Sequence, residues 1–291
     1  MGYNPEVKYR IIAIDLDGTL LQPDQSIHPR TLAAISAAQA RGVMIAPCTG
    51  RSWRESVGAL APLPGIRDGV FCTGAVLADM QSGRTLERRS LPPHISRRIL
   101  AALHHEADAV LAFTDADATG HEYFVTGKGR LTDNTRAWFR QTNIRHVARE
   151  TLEDHELGPI LRISMVTGEK NAFRWGRFFE AEHAEHVEVH AFEAMRRNAP
   201  AEPVYLFELF AKEVSKWDGI TRLAKRHGIA PHEIAVIGDE INDLPMLKNA
   251  ACSVAMANAV PAAKEAAKYE TLANDEGGVG HAIERMLEGA W

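Results

Sequence analysis

Apolar residues in this chain collect into short unbroken runs separated by longer stretches with helical spacing. Ile11-Ile12-Ala13-Ile14, Val43-Met44-Ile45-Ala46 and Ile234-Ala235-Val236-Ile237 are runs of the kind a strand carries when both of its faces are buried, as in a parallel sheet. Between the first two, Pro29–Arg41 has a helical pattern closed by Gly42, so the chain opens as a βαβ unit with a right-handed crossover. A short helix over Trp53–Leu60 and a strand over Gly69–Cys72 continue it. A hairpin follows, Ala75–Asp79 and Thr85–Arg89 around Ser82-Gly83.

From about Leu91 the pattern changes. It predicts a helix over Ser96–His105, strands over Ala109–Thr114 and Glu122–Thr126, and a helical or irregular stretch over Arg130–Gln141. Strand Ile160–Val166, helix Asn171–Ala184 and strands Val187–Ala191 and Val204–Phe210 complete this part. A helix over Trp217–His227 then restores strict alternation of helices and strands. The expected fold is α/β: a Rossmann-like, doubly wound parallel sheet from residues 1–88 and 208–291, with an inserted α+β cap domain at 89–207.

The strand ends carry the chemistry. The first run stops at Asp15-Leu16-Asp17-Gly18-Thr19, where residues i and i+2 of an extended segment point the same way and Gly18 releases the backbone into a loop. Ligands of open α/β sheets lie at such carboxyl ends. Two carboxylates there must be solvated, protonated or metal-bound, and with the Gly-Thr turn they suit Mg²⁺ and a phosphate; an acidic Asx-type turn is the plainer alternative. The run at Ile234–Ile237 also ends in acid, Gly238-Asp239-Glu240-Ile241-Asn242-Asp243, before a helix at Leu244–Asn249. Asn242 or Asp243 is an apt N-cap for that helix and Pro245 fits its first turn, which accounts for one acid but leaves Asp239 unexplained. Thr49 at the end of the second strand, followed by Gly50, Arg51 and Ser52, and Lys216 at a helix start are candidate donors to phosphate oxygens.

Asp-x-Asp-Gly-Thr, then strand-Thr-Gly-Arg, then Lys, then Gly-Asp-x-x-Asn-Asp, in this order, resembles the haloacid dehalogenase superfamily of phosphohydrolases. The likeness covers about residues 9–80 and 205–291. The closing segment, with Asn258, Asn274 and Asp275-Glu276-Gly277-Gly278, is similar to its Cof-type branch; Thr73-Gly74-Ala75 departs from that branch's frequent Asn-Gly-Ala. The resemblance implies a Mg²⁺-dependent phosphatase of small phosphorylated metabolites, such as sugar phosphates, with the cap selecting the substrate. It implies metal ligation by Asp15, the Asp17 backbone carbonyl and Asp239, with Asp243 and Asn242 completing the acidic shell. Asp15 is then the nucleophile forming an aspartyl-phosphate, Asp17 the acid and base, and Thr49 and Lys216 the holders of phosphate oxygens. Gly50, Arg51 and Asn242 are candidate substrate contacts, Arg51 being equally suited to a structural pair with an acid. Asn258 and Asn274 are read as loop-forming residues. A sugar phosphomutase or other phosphoryl transferase on the same scaffold, and a non-catalytic phosphate-ligand-binding protein, are the alternatives; loss of Asp15, Asp17 or Asp239 would mark the last, and all three are present.

Composition narrows the partners. The chain has 291 residues, 45% hydrophobic and 24% charged, enough for a large core. A formal net charge of −5 speaks against nucleic acid. No apolar stretch reaches a membrane span, and the polar start Met1–Arg10 lacks a signal-peptide layout. Cys48, Cys72 and Cys252 read as buried thiols, and the expected setting is the cytoplasm, as a monomer or homodimer. His183, His186 and His190 among glutamates have spacing that suits a helix-borne Zn²⁺ site, but the alternation at His186–His190 predicts a strand and a solvated surface instead. Asp115-Ala116-Asp117 reads as a turn, and nothing in the sequence places His121, Glu122 or Tyr123.

Overall fold

The computed structural model describes residues 7–63, 65–193 and 203–291, so much of the polar start lies outside the described residues. The chain divides into two compact units, Met1–Glu87 with Ser215–Trp291, and Arg88–Val214.

The first unit opens with β1 (Ile11–Ile14), α1 (Pro29–Ala40), β2 (Met44–Pro47), α2 (Trp53–Leu60), β3 (Asp68–Phe71), β4 (Val76–Asp79) and β5 (Thr85–Arg88). The second unit then supplies α3 (Pro93–Leu103), β6 (Val110–Thr114), α4 (Ala116–Thr119), β7 (Tyr123–Thr126), α5 (Asp133–Gln141), β8 (His146–Ala148), α6 (Asp154–Leu157), β9 (Ile160–Thr167), α7 (Glu169–His183), β10 (Val187–Glu193) and β11 (Tyr205–Ala211). The first unit resumes with α8 (Lys216–Arg226), β12 (Ile234–Gly238), α9 (Leu244–Asn249), β13 (Cys252–Ala255), α10 (Pro261–Ala266), β14 (Tyr269–Glu270) and α11 (Gly278–Leu287).

The main sheet of the first unit has the order β14-β13-β12-β1-β2, all parallel, and a bridge between Cys48 and Val70 sets β3 beside β2. Ile11–Ile14 and Ile234–Ile237 are buried on both faces, which is why they read as unbroken apolar runs. From the central pair β1 and β12, the chain winds outward in opposite directions. Right-handed crossovers then place the helices on opposite faces: α1 packs with α11, and α9 packs with α8 and α10. The point where the winding reverses lies between β1 and β12, and doubly wound sheets open their ligand crevice at such a point. Asp15 and Asp239 follow the last core residues of these two strands.

In the second unit the sheet order is β10-β11-β9-β6-β7-β8, antiparallel except for the last pair. The buried face of α3 presents Ile95, Ile99 and Leu103 at helical spacing, and these pack with Phe179 of α7 against Ala112, Ile163, Met165, Phe207 and Leu209. Alternation turns Phe113, Arg162, Glu208 and Phe210 to the other side. There Arg162 bridges to Glu208 at 2.8 Å, donates to the Tyr123 hydroxyl oxygen at 2.6 Å, and lies over the Phe113 ring.

Several local readings need correction. The return to the first unit falls at Ser215, because β11 is hydrogen-bonded between β9 and β10 of the inserted sheet. Helix α3 begins at Pro93 rather than Ser96, since proline is tolerated in a first turn. The stretch after Arg130 settles as α5, capped by Thr132, whose hydroxyl accepts from the Thr135 N–H. Asp115-Ala116-Asp117 does form a turn, a single helical one that Asp115 caps. Strand β8 has no counterpart in the apolar pattern. The strand expected from the alternation at His186–His190 is present: His183 ends α7 while His190 lies in β10 opposite Glu208, so the two do not share a helix face. Glu122 is buried and accepts from the Arg145 backbone N–H at 2.8 Å, and its carboxylate pairs with the Arg145 guanidinium. Among the described residues, no helix is long and apolar enough to cross a membrane.

Candidate active site

At the winding reversal, Asp15, Asp239 and Asp243 bring carboxylate oxygens within 4.8 Å of one another, all three residues being buried. Lys216, 1% exposed, reaches in from the first turn of α8. Its Nζ donates to Asp15 Oδ1 at 2.5 Å and to Asp243 Oδ1 at 2.6 Å. Ser215 fixes the start of that helix by accepting from the Asp218 N–H at 3.2 Å. Close approach of α8 depends on Gly74, where a Cβ would lie 2.0 Å from the Ser215 carbonyl oxygen.

One ammonium faces three carboxyl groups, so the cluster carries excess negative charge when all are ionised. Burial drives the Asp15 carboxyl well above its ordinary range; Lys216 opposes this, while Asp243 and Asp239 add to it. Burial also works against the charge on Lys216, but Asp15 and then Asp243 hold its net shift upward. Burial pushes Asp239 up to about 7, opposed by the Thr19 hydrogen bond and reinforced by Asp243. Its ordinary value is 3.8, so the folded chain holds this proton more tightly than the unfolded chain. The metal-free fold therefore gives up stability as pH rises through the interval from 3.8 to about 7. Three clustered oxygen donors with excess negative charge fit a hard divalent cation.

The family description of the haloacid dehalogenase-like hydrolases matches residues 12–283. The chain belongs to this family. Phosphatase YwpJ of Bacillus subtilis is 30% identical, the match covering 96% of this chain and 100% of that protein. The 5-amino-6-(5-phospho-D-ribitylamino)uracil phosphatase YwtE of the same organism is 26% identical over 97% of this chain and 99% of its own. The crystal structure of TM0651 from Thermotoga maritima superposes with a TM-score of 0.76 at 22% identity, covering 95% of this chain and 97% of that one. This haloacid dehalogenase-like hydrolase is accordingly a phosphoric monoester hydrolase.

Not every candidate residue of the hydrolase joins the carboxylate cluster. The Asp17 side chain turns to Arg51, whose Nε donates to Oδ2 at 2.6 Å and whose second guanidinium nitrogen donates to Oδ1. The expectation for Asp17 as a ligand concerns its backbone carbonyl, which this pairing leaves aside. Arg51 stands in the structural pair that its sequence reading allows, and it also donates to Gln25 Oε1 at 2.7 Å. Thr49 is buried, with its Oγ1 accepting from the Arg51 N–H at 3.1 Å. Gly50 lies near Asn242: a Cβ on Gly50 would stand 3.8 Å from the Asn242 amide nitrogen. The Asn242 Oδ1 is buried and has no hydrogen-bond partner among the described residues.

Asp243 corrects the capping expectation. It sits at the N-cap position of α9 but makes no side-chain cap hydrogen bond there. Its carboxylate turns back to accept from the Asp239 N–H at 2.9 Å and the Glu240 N–H at 3.0 Å, while its other oxygen meets Lys216. Thr19, which enters the sequence reading only as part of a motif, donates to Asp239 Oδ1 at 2.5 Å and so orients that acid. The Asn258 amide donates to the Gly18 carbonyl and the Asn274 amide to the Leu21 carbonyl, each at 2.7 Å, closing the loop after Asp17.

Gly18 is needed twice over. Its φ of +79° is unfavourable for an L side chain, and a Cβ would lie 2.2 Å from Asp239 Oδ2. Gly18→Ala is expected to cost about 1–3 kcal/mol in urea unfolding and to lower turnover through displacement of Asp239. Unchanged stability with unchanged turnover would refute this account of the turn.

Proposed function

We propose that the protein is a Mg²⁺-dependent phosphatase of small phosphorylated metabolites, sugar phosphates or similar, acting through a phosphoryl group carried on Asp15. One observation carries this reading: three buried carboxylates and a buried ammonium converge where the sheet's winding reverses. Asp15, Asp239, Asp243 and the Asp17 carbonyl would hold the cation, which when bound offsets the charge of the phosphate dianion and of Asp15.

The remaining chemistry belongs to the side chains. An Asp15 oxygen bonds to phosphorus as the bond to the ester oxygen breaks, and Asp17 gives that leaving oxygen its proton. Water then attacks phosphorus, its proton passes to Asp17, and the bond from Asp15 to phosphorus breaks, releasing inorganic phosphate. Lys216 and Thr49 hold non-bridging oxygens, and Gly50 with Asn242 bounds the space beside them. The second unit selects among esters. YwtE, by its name, acts on a phosphorylated ribityl chain, which supports an alcohol phosphate as the substrate class.

The test is phosphate release from a panel of sugar phosphates, nucleotides and cofactor phosphates, before and after removal of divalent metal with a chelator. We expect release that depends on added Mg²⁺ and favours small sugar or polyol phosphates. Release that persists after metal removal would overturn the metal assignment. Preference for nucleotides would overturn the substrate class.

A further inference from the structure

We infer that Arg51, backed by Gln25, is a positioning residue for Asp17 in the step that hydrolyses the phosphoenzyme; this rests on the reading of Asp15 and Asp17 given above. The two guanidinium nitrogens of Arg51 engage both Asp17 oxygens as a fork, with Nε to Oδ2 at 2.6 Å. A fork of this kind engages one of the two lone pairs on each carboxylate oxygen, so it orients the group while sparing its capacity to accept. It aims both carboxylate oxygens in a fixed direction, and a fixed acceptor is what the attack of water on phospho-Asp15 requires.

The surroundings of Arg51 are built to keep the fork in place. Its backbone N–H is held by Thr49 Oγ1. The next residue, Ser52, starts α2 with a reciprocal capping box in which Ser52 Oγ accepts from the Glu55 N–H and the Glu55 carboxylate accepts from the Ser52 N–H. The guanidinium is further tethered to Gln25 Oε1 at 2.7 Å. Gln25, with a φ of +69°, closes a tight turn in which its N–H donates to the Gln22 carbonyl and the Gln22 N–H to the Ser26 carbonyl, each at 2.9 Å. Its side chain accepts from the same guanidinium nitrogen that donates to Asp17 Oδ1. The connection that carries Asp17 and Gln25 and the turn that carries Arg51 thus fix the direction of one carboxylate.

In that step the water oxygen bonds to phosphorus, the Asp15–phosphorus bond breaks, and the water proton moves to an Asp17 oxygen. Inorganic phosphate and free Asp15 carboxylate result, and Asp17 is left carrying the proton that the next ester oxygen will receive. Loosening the fork should slow this step more than the first, most visibly with p-nitrophenyl phosphate, whose leaving group departs without a proton.

The experiment is stopped-flow release of p-nitrophenolate by the full chain with Mg²⁺, comparing the natural protein with Arg51→Lys and Gln25→Gly. Lysine keeps the charge but not the fork, and glycine suits the left-handed backbone while deleting the amide. We expect a burst of about one equivalent per site for Arg51→Lys, at a rate within about 3-fold of the natural protein's first turnover. Steady turnover should then fall roughly 10-fold or more, part of the 10²–10⁴ that acid–base groups supply. Gln25→Gly should show the same pattern with a smaller loss, at unchanged melting temperature. An equal fall in burst rate and turnover in both variants would mean a structural role and overturn the inference. A raised KM with kcat intact would make Arg51 a phosphate contact and likewise overturn it. Failure of the natural protein to release p-nitrophenolate at all would instead bring down the reading of the site, and this inference with it.

Discussion

Asp15→Asn ends phosphate release, with an expected loss of at least about 10³-fold in kcat and no phosphorylated protein on mass analysis. The amide has the shape of the carboxylate but neither its nucleophilic oxygen nor its charge. Folding should survive. The substitution removes the Lys216–Asp15 pair at 2.5 Å, but it also removes a buried charge that repels Asp243 and Asp239, and Lys216 keeps Asp243 as its partner. These effects oppose one another, so stability in urea should change by no more than about 1 kcal/mol. A variant that keeps a tenth of the activity would show that the nucleophile lies elsewhere.

The second large effect is expected from Lys216→Met, and it falls on stability as well as on rate. Methionine fits the apolar part of the lysine site but leaves Asp15 and Asp243 without their shared cation. Loss of one partner of a buried ion pair typically costs about 3–5 kcal/mol, and loss of an oxyanion donor about 10²–10³-fold in kcat. The pH dependence has a definite sign. Without Lys216, which opposes the upward shifts of both groups, Asp15 and Asp239 hold protons still more tightly in the folded state than in the unfolded one. The variant therefore regains stability as pH falls below about 7, the value to which Asp239 is already pushed. Urea unfolding at neutral and at mildly acid pH should show the gap from the natural protein narrowing on the acid side. A gap that stays constant across this range would mean that lysine stabilises by packing alone.

Strand positions and acidic strand ends are legible because burial on both faces writes itself as an unbroken apolar run, and a charge that ends such a run is conspicuous at Asp15 and Asp239. Features set by register between distant segments are not. Asp243 looks like a helix cap, and only the return of its carboxylate toward Lys216 and the Asp239 N–H reveals another use. Sequence leaves open the choice between a substrate contact and an acid pair for Arg51, because the meeting with Asp17 depends on how β1 and β2 align. Strand β8 escapes notice since His146-Val147-Ala148 is short and largely exposed, leaving no apolar pattern to detect. The left-handed backbone at Gln25 has no sequence signal at all, as glutamine gives no hint of it.

The central pairing of β1 with β12 joins Ile11 to Ile234, so the heart of the sheet waits on a ring closure of roughly 220 residues. At translation speeds of about 5–20 residues per second, β1 leaves the ribosome about 10–45 s before its partner exists. During that interval its apolar backbone edge is open to other chains. Asp15 is equally idle, because Lys216, Asp239 and Asp243 are all made later than the inserted unit. Arg88–Val214, contiguous in sequence and possessing its own core, can fold meanwhile and shorten the effective span to be closed. A chain built in this order assembles its carboxylate cluster only once Asp243 has been made, and a product terminated before α8 holds Asp15 with none of the side-chain partners it meets in the fold.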